Sequence, residues 1–282
     1  MSVIETQGIT YTYPGASKQS LRDITLTIEK GEFAILTGPS GCGKTTLCRC
    51  FNGLIPHFYA GELKGVLKVA NLNVSEHAIG EMAKRVGLVF QNPENQLFAL
   101  SVEKDVAFGL ENLGMPREQM QERVDWALEM TGIEDLRERA PHELSGGQQQ
   151  RVAIASVLAM QPEIIVFDEP TSFLDPLGAQ RIFEVISHLN NKLGITVILV
   201  EHRLDLAARY ASHVIIMDEG KIVLDGEPRE IFNSEQAWLL GVGIPKAVRL
   251  WRLLEENGVA LKGIPTSSDE ATQYLKEVLW RR

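Results

Sequence analysis

The chain reads as an α/β fold, and three stretches carry that reading. Phe33-Ala34-Ile35-Leu36-Thr37 leads into the glycine-rich Gly38-Pro39-Ser40-Gly41-Cys42-Gly43-Lys44-Thr45-Thr46, after which Leu47, Cys50, Phe51 and Leu54 recur at helical spacing. Ile164-Ile165-Val166-Phe167 ends in Asp168-Glu169-Pro170, and Thr196-Val197-Ile198-Leu199-Val200 ends in Glu201-His202-Arg203. Short apolar runs suit strands covered on both faces, the usual setting of a parallel sheet. Ligands of such sheets gather at the carboxyl ends of the strands, where each run turns polar.

The first stretch matches G-x-x-x-x-G-K-[ST] and has the strand–loop–helix context that the motif requires. Its glycines let backbone N–H groups turn inward, and the helix N-terminus adds partial positive charge, so the loop suits a polyphosphate. Lys44 is placed to reach the β- and γ-phosphates and the Thr45 hydroxyl to ligate Mg²⁺. The acids ending the second stretch fit the same chemistry. Asp168 would support the Mg²⁺ shell, and Glu169 stands where a general base for water is needed.

Bulk properties narrow the class. At 282 residues, 44% hydrophobic and 23% charged, the chain suits one large domain, or a domain plus a small appendage. A net charge of −9 argues against a nucleic-acid partner, because such proteins carry a basic face. Met1-Ser2-Val3-Ile4-Glu5 lacks the basic start and apolar run of a signal peptide, and no stretch is long and apolar enough to span a bilayer. Cys42, Cys48 and Cys50 read as small packing residues in a reducing cytosol. Any membrane association is therefore expected through partner proteins.

Taken in order, Ile9–Ile28 alternates apolar and polar positions around a turn at Tyr13-Pro14-Gly15, which predicts half-buried strands. Tyr13 is either a ring for stacking on a base or a surface turn aromatic. Residues 61–74 alternate again. Arg85–Phe90 predicts a buried strand ending in Gln91, a candidate contact for Mg²⁺ or water. Met115–Gly132 reads as one helix, with Pro116 near its start and Met120, Val124, Ala127 and Leu128 inward. Residues of about 92–162 are more helical than their flanks and form a candidate lobe.

Leu144-Ser145-Gly146-Gly147-Gln148 then opens a long helix with Ser145 as N-cap, either an anion cradle or a capped helix end without a ligand. His202 is a candidate γ-phosphate contact. Residues 214–224 predict a hairpin that closes the main domain near 238. In the tail, Ala247, Leu250, Trp251 and Leu254 form one apolar stripe. Ser267-x-x-Glu270 opens a second helix with Ala271, Tyr274, Leu275, Val278 and Leu279 on one face.

The combination of Tyr13, the loop at 38–45, Gln91, Leu144–Gln148, Asp168-Glu169, Ser172-Phe173-Leu174-Asp175 and His202 resembles the ATP-binding subunit of an ABC transporter over residues 1–238. The resemblance implies a P-loop NTPase of the ABC ATPase fold. That is a RecA-like core with an antiparallel β subdomain and a helical subdomain at about 92–162, here with a small C-terminal helical extension at 239–282. Gln91–Phe98 and Val102–Gly109 look like the ATPases of energy-coupling-factor importers of vitamins and transition-metal ions. Asn52–His57 and Val200–Arg203 are similar to their cobalt and thiamine-precursor branches.

The same resemblance implies ATP and Mg²⁺ as cofactors. Tyr13 would stack on adenine, Gly38 to Thr46 would hold the phosphates, and Thr45, Gln91 and Asp168 would serve the metal. Glu169, His202 and Gln91 would be catalytic. Ser145, Gly146, Gly147, Gln148 and Asp175 would meet the nucleotide of an opposing subunit. The implied partners are a second ATPase subunit, the same or related, a transmembrane coupling subunit and a substrate-capturing membrane protein. The expected location is the cytoplasmic face of the cell membrane. The alternative within transport is a conventional binding-protein-dependent importer. A soluble ATPase of DNA repair or translation fits less well, since the chain is acidic and lacks coiled-coil or zinc insertions. Phe173 and Glu201 depart from the family pattern, where Ala and Thr are common.

Overall fold

The computed structural model describes residues 1–259 and 261–279. Among them, ten strands build two sheets: β1 (Ser2–Thr12), β2 (Leu21–Glu29), β3 (Phe33–Thr37), β4 (Glu62–Val69), β5 (Leu72–Asn73), β6 (Val86–Val89), β7 (Ile164–Asp168), β8 (Thr196–Val200), β9 (His213–Asp218) and β10 (Lys221–Gly226).

The first sheet is antiparallel in the order β2-β1-β4-β5. Its β2 buries Leu21, Ile24, Leu26 and Ile28 and turns Thr25 and Thr27 outward, the period-2 pattern its sequence predicts. The second sheet runs β10-β9-β3-β8-β7-β6, parallel from β9 to β6, with β10 added antiparallel to β9. Strands β3 and β8 are buried at every position, their threonines Thr37 and Thr196 included, as predominantly apolar runs covered on both faces should be.

Alternate residues of those strands serve two cores. Ala34, Leu36, Ile164, Val166 and Ile198 face the antiparallel sheet and the Lys44–Phe51 helix, together with Leu47 and Phe51. Ile35, Ile165, Phe167 and Leu199 face the Pro176–Leu193 helix through Ile182, Phe183 and Ile186. A third core joins the Val102–Asn112, Arg117–Thr131 and Gly146–Leu158 helices through Val106, Leu110, Val124, Leu128, Val152 and Ala155. The Arg117–Thr131 helix stops at Gly132, whose φ of 62° suits a residue without Cβ.

Two sequence expectations are corrected here. The strand expected over Arg85–Phe90 is β6, Val86–Val89, and Phe90 is exposed where the chain leaves the sheet. In the Lys246–Glu256 helix, Ala247, Val248 and Trp251 are buried, but Leu250 is 41% exposed. The inward line thus runs through Val248, while Leu250 and Leu253 face out, Leu253 lining a groove with Trp238 and Leu239. Hydropathy spacing specifies that a helix has an apolar stripe but not how wide a stripe the rest of the chain covers.

The second tail helix runs Ser268–Leu279 with Ala271 buried; the side chain of Leu279 lies outside the described residues. The Ser267 hydroxyl accepts from the Glu270 N–H at 3.2 Å. The Glu270 carboxylate accepts from the Thr266 N–H at 2.9 Å, one residue before the position a capping box would use. Arg229 pairs with Glu270, and Val242, Ile244 and Val248 enter the second core, so the tail seats on the main chain. Among the described residues no helix is long and apolar enough to cross a membrane.

Candidate functional site

The strand order assembles the site. β8 lies between β3, which leads into the 38–46 loop, and β7, which ends in Asp168, so all three carboxyl ends lie side by side. β6, on the far side of β7, delivers Gln91 to the same edge.

The loop is bent by glycines whose side of the chain is occupied. A Cβ on Gly38 (φ 144°) would lie 2.0 Å from the Met217 carbonyl oxygen, and one on Gly43 (φ 111°) 2.7 Å from that of Ser20. Gly43 is the N-cap of the Lys44–Phe51 helix and no side chain caps it, so the first N–H groups stay free for a ligand. Lys44 is buried, and its Nζ donates to the carbonyl oxygens of Gly38 and Pro39, both at 2.9 Å. Its charge is thus held inside the loop it would share with phosphate. Tyr13 stands against this helix: its hydroxyl lies 3.3 Å from Thr46 Oγ1 and accepts from Arg49 Nη1 at 3.2 Å. Its ring meets Tyr11 edge-on. Cys42, Cys48 and Cys50 are buried, and burial pushes all three thiols up, which suits inert packing groups.

Thr45 Oγ1 donates to Asp168 Oδ1 at 3.3 Å. Burial raises the Asp168 carboxyl above its ordinary range, and the neighbouring Glu169 charge adds to the rise, while the Thr45 bond opposes it. Glu169 has φ 51°, an uncommon conformation for a non-glycine residue that turns its carboxylate into the site. It accepts from Gln91 Nε2 and Ser172 Oγ, each at 3.0 Å, and lies 3.2 Å from His202 Nε2. Gln91, Glu169 and His202 therefore form one cluster, next to the Thr45–Asp168 pair. The structure places Gln91 on Glu169, and among the described residues no hydrogen bond joins it to Asp168.

A hydroxyl and a carboxylate oxygen at this separation form a hard, all-oxygen donor set, which with phosphate oxygens and waters suits Mg²⁺. Thr45 and Asp168 would hold the ion, which would neutralise phosphate charge there.

Ser145 caps the Gly146–Leu158 helix as expected from its position, but its hydroxyl and N–H both bond Gln148 Oε1, at 3.0 and 2.9 Å. Ser145 and Gly146 are exposed and open on a cavity of about 300 Å³ that Asp175 and Phe173 also line. No hydrogen bond or ion pair joins Ser145–Gly147 to Lys44, Thr45 or Asp168 among the described residues. The expected nucleotide-binding residues therefore fall into two groups within one chain.

Sequence reasoning missed three members of the neighbourhood. Thr171 and Ser172 are small hydroxyl residues after a proline, Ser172 entering only within the stretch that carries the resemblance, and Arg203 ends the run after Val200 with no role that its residue type announces. Their partners, Glu169, Glu201 and the Leu174 carbonyl, lie 3 to 30 positions away in the chain and meet only in the fold.

Comparison with known proteins identifies the family and the fold. The family described as ABC transporter matches residues 21–172. The energy-coupling factor transporter ATP-binding protein EcfA1 of Lacticaseibacillus paracasei is 42% identical over 275 residues, 97% of each chain. Among solved structures, cbiO1 from Clostridium perfringens, described as part of the ABC transporter complex cbiONQ, superposes with a TM-score of 0.76 at 36% identity, covering 90% of this chain and 99% of that one. The ATP-binding cassette MJ0796, described as a dimer in a post-hydrolysis state with ADP and Pi, has a TM-score of 0.69 at 30% identity, covering 80% and 99%.

Proposed function

We propose, since this chain belongs to the ABC transporter family as one of its ATPase subunits, that it energises import of a vitamin or transition-metal ion as part of an energy-coupling-factor transporter. One observation carries the mechanism: the Lys44–Asp168–Glu169–His202 edge and the Ser145–Gly147 helix end are separate in one chain, and the second is open to solvent. A nucleotide bound at the first would be covered by the second of another ATPase subunit. ATP then favours the closed pair, because a ligand shifts an equilibrium only by its differential affinity and the closed state alone offers two sets of donors. The MJ0796 dimer supports the arrangement.

Within the site, Lys44 and the loop N–H groups would bind the β- and γ-phosphates and Tyr13 would stack on adenine. Thr45 and Asp168, with Gln91 nearby, would serve Mg²⁺. Glu169 would accept a proton from the attacking water, held in place by Gln91, Ser172 and His202, while His202 also meets the γ-phosphate. Ser145, Gly146, Gly147, Gln148 and Asp175 would face the partner's nucleotide.

The transmembrane subunit would dock beside Gln91, where Phe98, 65% exposed, packs edge-on against the exposed Phe108 with Leu100 alongside. That docking would place the chain on the cytoplasmic face of the membrane, as a peripheral subunit. The main domain would comprise residues 1–238. The 239–282 extension, with its exposed Leu239, Leu250 and Leu253, would help pair the two ATPases. Replacing Glu169 with Gln tests the reading: phosphate release should fall by about 100-fold or more while ATP binding persists. Hydrolysis at the unmutated rate would overturn the assignment of the base. Purification from membranes should recover a small substrate-capturing membrane protein, and recovery of a soluble binding protein instead would overturn the transporter type.

A further inference from the structure

Three consecutive residues, Glu201, His202 and Arg203, each reach across to the segment that follows β7. The Thr171 hydroxyl donates to the Glu201 carboxylate, His202 Nε2 stands 3.2 Å from Glu169 Oε1, and Arg203 Nη1 donates to the Leu174 carbonyl oxygen at 3.0 Å. The segment itself is folded tightly, with the Ser172 N–H on the Glu169 carbonyl and the Leu174 N–H on that of Thr171. Only the middle bridge belongs to the hydrolytic cluster. The outer two tie down the chain that runs from Glu169 to the wall of the Ser145 cavity, where Phe173, Leu174 and Asp175 stand.

Glu201 is an expensive residue to place there. It is 1% exposed, Thr171 is wholly buried, and burial pushes the Glu201 carboxyl above its ordinary range, with the Glu169 charge adding to that. The Thr171 bond, the His202 backbone N–H and the Arg203 charge act the other way. A buried acid is seldom favoured over an apolar side chain of similar volume on stability grounds, so the position calls for a role in geometry.

We propose that Glu201 and Arg203 are positioning residues: they clamp the 169–175 segment to the loop bearing His202, so that the histidine and the Phe173–Asp175 cavity wall move as one body. The inference rests on Glu169 acting as the base, and it adds residues that hold the base in register with the surface offered to the second ATPase subunit. A displacement of the base of about 1 Å is enough to cost on the order of 100-fold in rate without touching the phosphate contacts at Lys44 and the loop. Arg203 is exposed, so truncating it leaves the core intact, and Glu201→Gln keeps the volume and an acceptor for Thr171.

The experiment measures steady-state ATP hydrolysis, equilibrium ATP binding and melting temperature for the full chain with Mg²⁺. The variants are Arg203→Ala, Arg203→Lys and Glu201→Gln, with Glu169→Gln alongside. The expected result is a fall in kcat of about 10-fold or more for Arg203→Ala and a smaller one for Glu201→Gln. ATP affinity should stay within about 2-fold for both, and Arg203→Lys, which can still donate to a carbonyl, should recover most of the loss. Unchanged kcat in Arg203→Ala and Glu201→Gln would overturn the proposal. So would a fall in kcat, affinity and melting temperature together, or failure of lysine to rescue. Turnover by Glu169→Gln at the unmutated rate would refute the base, a different failure from that of the clamp.

Discussion

Two of the helices that open on glycine, at Gly43 and at Gly146, make opposite use of the same physics. The Lys44–Phe51 helix begins at Gly43 inside the fold, pressed against Ser20 and Met217, with a buried lysine bonded back into its own loop and Asp168 one hydroxyl away. The Gly146–Leu158 helix begins at Ser145 in the open, and a Cβ on Gly146 or Gly147 would meet only Leu174, at 3.5 or 4.0 Å. Both ends carry the free N–H groups and partial charge that attract an anion. The first has a lysine and the Thr45–Asp168 pair beside it. The second opens on a cavity lined by Asp175 and Arg151 but by no lysine, and on the proposed reading it would contribute to a site begun on another subunit. On that reading, burial and neighbours, rather than the helix end itself, would decide which half of a phosphate site a glycine-rich turn becomes.

Substitutions at the two ends should separate these roles, and the largest effect belongs to the buried one. Gly43→Ala puts a Cβ within 2.7 Å of a backbone oxygen at φ 111°, so several kcal/mol of stability and nearly all ATP binding should be lost, as denaturant titration and equilibrium binding would show. Gly147→Ala meets only Leu174, at an ordinary contact distance of 4.0 Å and an ordinary φ, and should leave the denaturation midpoint unchanged. If both alanines destabilise equally, the contrast between the two ends fails.

Next in size is Ser145→Ala. Loss of one hydrogen bond to a charged phosphate, worth about 1.5–3 kcal/mol, should weaken ATP-induced pairing of ATPase subunits by about 10- to 100-fold and leave ATP binding to the single chain unaltered. Sedimentation of the Glu169→Gln variant with and without Ser145→Ala reads this directly. Unaltered pairing would make the helix end merely structural.

The smallest effect lies at the opposite edge of the sheet, where charge serves stability alone. His213, at the start of β9, bonds Asp225 and lies 3.1 Å from Glu32. The Asp225 bond, then that of Glu32, raise its imidazole above the ordinary 6.5, while partial burial opposes them. A folded-state value above the unfolded one means the pair contributes fully below about pH 6.5, and that contribution disappears as pH rises through the raised value. Melting temperature should therefore fall over that window, and His213→Gln should flatten the fall without altering ATP affinity. A steeper fall in the variant would sink the assignment.

Much of this could be read before folding was considered. The buried runs of β3, β7 and β8, the alternation of β2 and the limits of the Arg117–Thr131 helix are local patterns that tertiary contacts did not overrule. The glycine-rich loop and the Asp168-Glu169 pair carry their chemistry in adjacent residues, so they stand out in the sequence. Glu201 and Arg203 do not, because neither residue type at that spot implies Thr171 or the Leu174 carbonyl as partner. On the Lys246–Glu256 helix the expected stripe holds at Ala247 and Trp251 but not at Leu250, because its apolar residues span more of the helix than the main domain covers.

Residue order alone determined the kinds of strand and helix, the phosphate loop and the supply of acids and histidine at strand ends, because backbone sterics and hydropathy act over a few neighbours. Only the tertiary structure decided that β8 would lie between β3 and β7, that Gln91, Ser172 and His202 would converge on Glu169, and that Ser145 would open on solvent. Those outcomes depend on strand order and on loops bridging distant segments, and a contact between residues far apart in the chain leaves no mark in the local pattern of either one.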